Sequence, residues 1–165
     1  MKQIRPPDRR LLVCRILLIL YGLLMLWLLF FRSGLQPDAY FNFIPFQTVK
    51  MYVEMLLDGN PYHAFLAVVN LGGNIVMFVP LGLLLPQLWN AQRRFPVFLL
   101  TVTGLIVLIE ALQYATRLGI ADLDDLILND LGACLGFLAQ RILHAVISRR
   151  RCRNIPSKSG KDVPS

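Results

Sequence analysis

The sequence predicts an all-α fold: a polytopic membrane protein, built as a four-transmembrane-helix bundle with an amphipathic extracytoplasmic connection. Three observations support this prediction. The chain of 165 residues is 56% hydrophobic and only 16% charged, whereas an ordinary soluble domain carries about 25% charged residues. The apolar residues come in long blocks, and about 20 apolar residues suffice to cross a ~30 Å hydrocarbon core. The Lys and Arg residues cluster at the ends of those blocks, where they act as topology signals.

The first span is predicted over residues 11–31, where only Arg15 and Gly22 interrupt an apolar run. The connection that follows, residues 32–64, contains an aromatic stretch around Pro45 that is typical of the headgroup level of a bilayer. Residues 47–58 then place apolar side chains at i, i+3, i+4, i+7 and i+8, which predicts an amphipathic helix. This helix either lies on the membrane surface or folds back onto the mouth of the bundle.

Three further spans are predicted, over residues 65–85, 96–115 and 125–147. The second span contains Asn70 and Asn74, which are four residues apart and therefore share a helix face. It also contains Pro80, which is expected to kink the helix because proline lacks the backbone N–H. Small residues let helices approach closely in a membrane. Five glycines are expected to serve this purpose: Gly72, Gly73, Gly82, Gly132 and Gly136.

The basic residues predict the orientation of the chain. Twelve Lys and Arg residues lie in the N-terminal arm, in the link between the second and third spans and in the C-terminal tail, against three on the other side. Basic loops stay in the cytoplasm, so both termini are expected to be cytoplasmic. The chain thus divides into a cytoplasmic basic arm (1–10), a membrane domain (11–147) and a basic cytoplasmic tail (148–165) that is expected to be disordered. Membrane lipids are the predicted partners of the basic residues, and nucleic acid is not.

Polar residues concentrate at the end of the third span and the beginning of the fourth. They form two stripes with the spacing i, i+3, i+7: Glu110, Gln113 and Arg117 on the third span, and Asp122, Asp125 and Asn129 on the fourth. Residues at this spacing share one face of a helix, so an antiparallel pair can turn the two stripes toward each other. Asn70 and Asn74 enter from the second span at a comparable depth. The sequence therefore predicts a polar pocket in the outward half of the bundle.

Three interpretations of this pocket are open. A bare carboxylate inside a membrane costs several kcal/mol, so the pocket could be a structural network in which Arg117 pairs with Glu110 or Asp125. Alternatively, Glu110, Asp122 and Asp125 are candidate catalytic residues for acid–base work, or they hold a divalent cation together with the asparagines. The pocket could also bind or transport a polar head group. The candidate binding residues are Asn70, Asn74, Gln113, Arg117 and Asn129.

The order of these motifs resembles the VanZ-like family of bacterial membrane proteins. The resemblance covers residues from about 40 to about 140. It rests on Asn42-Phe-Ile-Pro45-Phe46, Asn70-x3-Asn74-x3-Phe78-x-Pro80-x-Gly82, Glu110-x2-Gln113 and Arg117-x4-Asp122-x2-Asp125-x3-Asn129-x2-Gly132. It implies a small multi-span protein of the bacterial cytoplasmic membrane. The name-giving member of the family is associated with low-level resistance to the glycopeptide antibiotic teicoplanin.

From this resemblance we expect a cell-envelope protein that acts at the outer leaflet, on or near lipid-linked wall or surface components. Arg117 would hold an anionic head group, because its guanidinium fork suits phosphate or carboxylate. Asp122 and Asp125 would bind a cation or orient a sugar hydroxyl, and Glu110 would be the acid or base of any reaction. The competing expectation is a non-enzymatic membrane module that binds a lipid or protein partner, in which the same residues serve only helix packing.

Overall fold

The structure is a computed structural model that describes residues 9–31, 41–118 and 121–153. Its helices are α1 (Arg9–Phe31), α2 (Gln47–Leu57), α3 (Pro61–Leu88), α4 (Phe95–Thr116) and α5 (Leu123–Arg153), with a short 3₁₀ helix at Asn90–Arg93. Two strands of two residues each complete it, β1 (Phe41–Asn42) and β2 (Ala121–Asp122). The predicted all-α fold with four spans is confirmed, because α1, α3, α4 and α5 are long and apolar enough to cross a membrane.

The long helices extend beyond their predicted bounds. α3 begins at Pro61, where the Asn60 side chain accepts the backbone N–H of Tyr62 and so caps the helix. The helix then continues to Leu88 through Pro80, so the proline expected to kink it does not end it. α5 runs to Arg153, so residues 148–153 of the tail expected to be disordered are helical. Residues 154–165 of that tail and residues 1–8 of the basic arm lie outside the described residues.

Glycines bring α3 and α5 into backbone contact. A Cβ atom at Gly132 would lie 2.0 Å from the carbonyl oxygen of Ile75, and one at Gly136 would lie 2.1 Å from that of Val79. The ascending order of these pairs shows that the two helices run in the same direction. The close approach predicted for Gly82, Gly132 and Gly136 is confirmed. For Gly72 and Gly73 it is wrong, since a Cβ at either position would meet nothing within 4 Å.

The apolar core lies between α3, α4 and α5. Its buried members are Phe78, Leu81, Leu85, Phe98, Val102, Ile106, Ala133 and Phe137. α4 runs antiparallel to α5, and the Thr103 hydroxyl donates a hydrogen bond of 2.8 Å to the Asp130 carboxylate. α1 packs at the edge of the bundle, where the Tyr21 hydroxyl donates to the Met77 carbonyl at 2.7 Å. Many of its apolar side chains are exposed on the protein surface, as expected of a helix that faces lipid.

The connection between α1 and α3 meets the turn between α4 and α5 at one end of the bundle, here called the cap end. β1 and β2 pair in parallel there, with Phe41 opposite Ala121 and Asn42 opposite Asp122. The predicted amphipathic helix is present as α2. It packs against α3 and also contacts α5. These contacts hold α2 against the bundle.

The glycine contacts predict a large difference between two Gly-to-Ala substitutions. Gly136→Ala should lower the free energy of unfolding by about 1–3 kcal/mol, because the new methyl group meets the α3 backbone, which cannot move aside. Gly104→Ala on α4 is the matched control, since a Cβ there meets nothing within 4 Å. Thermal unfolding in detergent micelles measures both variants. Equal melting temperatures for the two would contradict this packing.

Candidate functional site

A buried carboxylate fastens the beginning of α2 to the beginning of α5. Asp124 is fully buried. Its oxygens accept the backbone N–H groups of Phe46 at 2.6 Å, Thr48 at 2.8 Å and Val49 at 3.0 Å. The first N–H groups of a helix have no partner within the helix, and the positive end of the helix dipole favours a negative charge. Asp124 therefore closes the N-terminus of α2 with charge-assisted hydrogen bonds.

Asp122 binds the same segment through its side chain. One carboxylate oxygen accepts the Asn42 amide at 3.3 Å and also the Thr48 hydroxyl. The other accepts the backbone N–H of Asp124 at 2.8 Å. One oxygen of this candidate catalytic residue thus holds β1 and α2, and the other binds the first turn of α5. Sequence reasoning missed Asp124, because it lies off the i, i+3, i+7 stripe and an acidic residue in a first helical turn commonly serves its own helix.

A second, inner group brings together three of the residues singled out in the sequence. The Asn74 side chain of α3 donates a hydrogen bond to the Asp125 carboxylate of α5. Glu110 of α4 lies beside the backbone of Asp122 and within electrostatic range of Asp125. One oxygen of Glu110 is buried and has no hydrogen-bond partner among the described residues. The two stripes therefore face each other at Glu110 and Asp125.

Two asparagines lie apart from this inner group. The Asn70 amide donates to the Leu66 carbonyl of its own helix at 2.8 Å. Asn129 follows Asp125 by one helical turn and is only 5% exposed. Its side-chain oxygen has no partner within the described ranges of the chain. Asn70 is thus occupied locally, while Asn129 leaves a buried acceptor deeper in the bundle.

The end of α4 places Arg117 away from the carboxylates. Arg117 adopts the left-handed conformation with φ 57° and ends the helix. The Gln113 carbonyl accepts the backbone N–H of Leu118 at 3.0 Å in the same turn. The Arg117 side chain is exposed. It forms no ion pair with a described acidic residue, so the pairing with Glu110 or Asp125 expected of a structural network is not formed.

Tyr52 of α2 joins the inner acidic residues, which the sequence did not indicate. Its side chain is half-buried and lies within electrostatic range of Asp125 and Asp122. A tyrosine phenol is protonated at neutral pH, so Tyr52 brings a hydroxyl donor close to these carboxylates. The periodicity of α2 identified Tyr52 only as part of an apolar face. Periodicity gives no information about which residues that face contacts.

The other end of α2 is fixed to α3 by a short turn. Asp58 accepts the Asn60 backbone N–H at 2.8 Å and hydrogen-bonds the His63 ring. The hydrogen bond from His63, and then that from Asn60, lowers the pKa of Asp58. Because the folded-state pKa of Asp58 is lowered, its ionised carboxylate stabilises the fold at pH values above the unfolded-state pKa. This stabilisation is lost as the pH falls through the folded-state pKa. The turn therefore holds at neutral pH.

One of the three interpretations placed a divalent cation in the pocket, but the part of the chain that the structure describes offers no ready set of ligands for it. Within those ranges, no group of three or more His, Cys, Asp or Glu side chains could hold a metal ion. Asp122 and Asp124 already direct their oxygens at protein donors. Asp122 and Asp124 therefore serve hydrogen bonding within the protein.

A polar cleft of about 390 Å³ lies beside α2. Its walls are formed by Asn42, Gln47, Thr48, Lys50, Met51 and Glu54. The Lys50 ammonium and the Glu54 carboxylate in one wall are 3.8 Å apart and largely exposed. Because Asn42 and Thr48 are also partners of Asp122, the cleft borders the segment that the buried carboxylates hold.

Comparisons with known proteins identify the family of the chain. The family model described as VanZ/LLP1 matches residues 18–144. Protein VanZ of Enterococcus faecium is 27% identical over 125 residues, which is 76% of this chain and 71% of that protein. No solved structure matches the chain. The matched range includes Glu110, Asp122, Asp124 and Asp125.

The contacts of Asp124 predict how its loss affects α2. Asp124→Asn replaces one acceptor oxygen by an NH₂ group, and hydrogen bonds to charged groups contribute about 1.5–3 kcal/mol each. The backbone amides of Phe46, Thr48 and Val49 should therefore exchange hydrogen at least about tenfold faster. Glu54→Gln, an exposed change on the same helix, should leave their exchange unchanged. Equal exchange rates in the Asp124→Asn variant and the unmodified protein would show that this carboxylate does not anchor α2.

Proposed function

Because the chain belongs to the VanZ/LLP1 family, we propose that it acts in the cell envelope, from the outer leaflet of the bacterial cytoplasmic membrane. Its targets in this proposal are lipid-linked wall precursors or surface components, and its action contributes to tolerance of teicoplanin. Both termini are cytoplasmic, and the cap end faces outward. The charge distribution supports this orientation, because twelve basic residues lie in the segments placed in the cytoplasm.

The observation that carries the proposal is the unpaired acceptor at Glu110. Glu110 lies within electrostatic range of Asp125, and neither carboxylate has a Lys or Arg partner among the described residues. Acidic residues within membrane spans are costly and commonly mark functional sites. An acceptor without a protein donor suits a hydroxyl or ammonium group of a ligand. Glu110 is the acid or base if a reaction takes place there.

The neighbouring residues supply complementary groups in this proposal. Asp125, oriented by Asn74, binds a second hydroxyl of the ligand. Tyr52 supplies a hydroxyl donor from α2. Arg117 is exposed at the rim, where its guanidinium group suits a phosphate. The ligand class is therefore a head group that carries both hydroxyl groups and a phosphate, as lipid-linked envelope precursors do.

A non-enzymatic membrane module is the second candidate. It is favoured by the hydrogen bonds of Asp122 and Asp124, which are all made to the protein itself. The bond between Asn74 and Asp125 also links α3 to α5 and would fix their register. In this alternative the acidic residues only assemble the bundle. The protein then binds a lipid or protein partner through another surface.

Near-isosteric substitutions separate the two candidates. Glu110→Gln and Asp125→Asn should leave the fold intact and abolish the teicoplanin tolerance of cells that depend on this protein, because each removes a carboxylate and keeps the side-chain volume. Glu54→Gln, on the exposed face of α2, is the control and should keep full tolerance. Size-exclusion elution in detergent measures folding, and growth at graded teicoplanin concentrations measures function. Well-folded variants with normal tolerance would refute the site, and poorly folded ones would favour the structural alternative.

Cysteine labelling tests the orientation. Leu57→Cys lies at the cap end, where the native side chain is 80% exposed, and Ala91→Cys lies at the opposite end in the 3₁₀ helix. Both are made after replacement of the three native cysteines by alanine. A membrane-impermeant maleimide should label position 57 in intact cells and position 91 only after lysis, because the cap end faces outward. Labelling of position 91 alone in intact cells would reverse the orientation.

A further inference from the structure

The first turn of α2 lies well below the cap end of α4. The hydrogen bond between Thr103 and Asp130 fixes the register of α4 against the antiparallel α5. Asp124 precedes Asp130 by six residues, so it is level with position 109 of α4, seven residues before the end of the helix at Thr116. At 1.5 Å per residue, Asp124 lies about 10 Å below that end. The proximity of Glu110 to the backbone of Asp122 agrees with this register.

The length of α4 gives the depth of Asp124 in a membrane. It has 22 residues and is about 33 Å long, close to the ~30 Å thickness of a hydrocarbon core. Its two ends therefore lie near the two boundaries of the core, and a point about 10 Å below one end lies within the core. The N–H groups of Phe46, Thr48 and Val49 bind Asp124. The beginning of α2 must therefore reach the same depth.

The backbone of this segment meets the requirement that a membrane imposes. Irregular backbone at membrane depth is tolerated only where the protein or an enclosed cavity satisfies its polar groups. Asp124 accepts three N–H groups of the segment. The Asn42 side chain accepts the Ile44 N–H at 3.3 Å, and the Ile44 carbonyl accepts the Gln47 N–H at 3.3 Å. These polar groups thus find partners within the protein.

The apolar side chains at the tip of the segment are exposed. Phe43, Ile44 and Phe46 are 69%, 62% and 62% exposed. The backbone N–H groups of Phe46, Thr48 and Val49 bind Asp124, so these exposed side chains belong to a turn that is anchored to α5. Phe65 and Val68 on α3, which is packed against α2, are also largely exposed. The apolar tip thus adds to the surface that the spans present to lipid.

We propose that residues 41–57 form a re-entrant hairpin, whose tip at 43–46 enters the leaflet at the cap end and packs against acyl chains. α2 then returns to the membrane surface at Asp58. With 11 residues, α2 is about 16 Å long, enough to rise about 10 Å while tilted. The polar cleft beside it gives Lys50 and Glu54 access to water. This inference concerns lipid contact and stands whether or not Glu110 and Asp125 carry out a reaction.

Spin labels in lipid vesicles test the hairpin. Ile44→Cys, with Phe43→Cys as a second reporter of the tip, and Leu57→Cys as a control at the far end of α2, are made after replacement of the native cysteines by alanine. Each label is measured in vesicles of phosphatidylethanolamine and phosphatidylglycerol. Collisions with oxygen and with a water-soluble nickel complex give its depth. Monodisperse elution in detergent, equal to that of the unlabelled protein, is required of each sample before reconstitution.

The two tip labels should collide readily with oxygen and rarely with the nickel complex. They should lie about 10 Å deeper than the label at position 57, because α2 rises by that distance between its two ends. Two tip labels with nickel access equal to that at position 57 would overturn the hairpin. That result would place the segment in the headgroup layer or in water.

Discussion

The buried carboxylate of Asp124 anchors the beginning of α2 at the cap end. A carboxylate removed from water must be paired or fully hydrogen-bonded, and Asp124 finds three backbone N–H groups at the first turn of α2. Those N–H groups in turn require an acceptor from outside α2, since they have no partner within their own helix. The contact positions β1 beside β2 and holds Tyr52 near the inner acidic residues. Without it, α2 would be joined to the bundle by its packing on α3 and by the bond between Thr48 and Asp122.

The bundle beneath the cap is held by a different kind of contact. In a bilayer, lipid tails are as apolar as the side chains, so helix association relies on close packing and on interhelical hydrogen bonds. Gly132 and Gly136 let the backbones of α3 and α5 touch, and Thr103 links α4 to α5 through Asp130. These contacts set the helix register. The register in turn decides which acidic residues meet each other and at what depth.

The acidic residues consequently divide into two groups. Asp122 and Asp124 direct their oxygens at the polypeptide, while Glu110 keeps an acceptor that no described residue satisfies. The i, i+3, i+7 spacing predicted that Glu110 and Asp125 would face each other across two helices, because both helices have a fixed period. It could not separate the two groups. That separation depends on residues 46–49, which lie far earlier in the chain. The backbone N–H groups of this segment bind Asp124 and cannot be inferred from the spacing of side chains.

Local properties of the chain were enough to predict the four spans, the amphipathic character of α2, the close helix approach at Gly82, Gly132 and Gly136 and the meeting of Glu110 with Asp125. These follow from helical period, from the length of apolar blocks and from the small size of glycine. Three other features became visible only in the folded protein: Arg117 lies apart from the carboxylates, Tyr52 joins them and Asp124 anchors α2. Each of these depends on contacts between distant parts of the chain. Their partners are selected by helix register and by unpaired backbone groups, which a one-dimensional pattern does not contain.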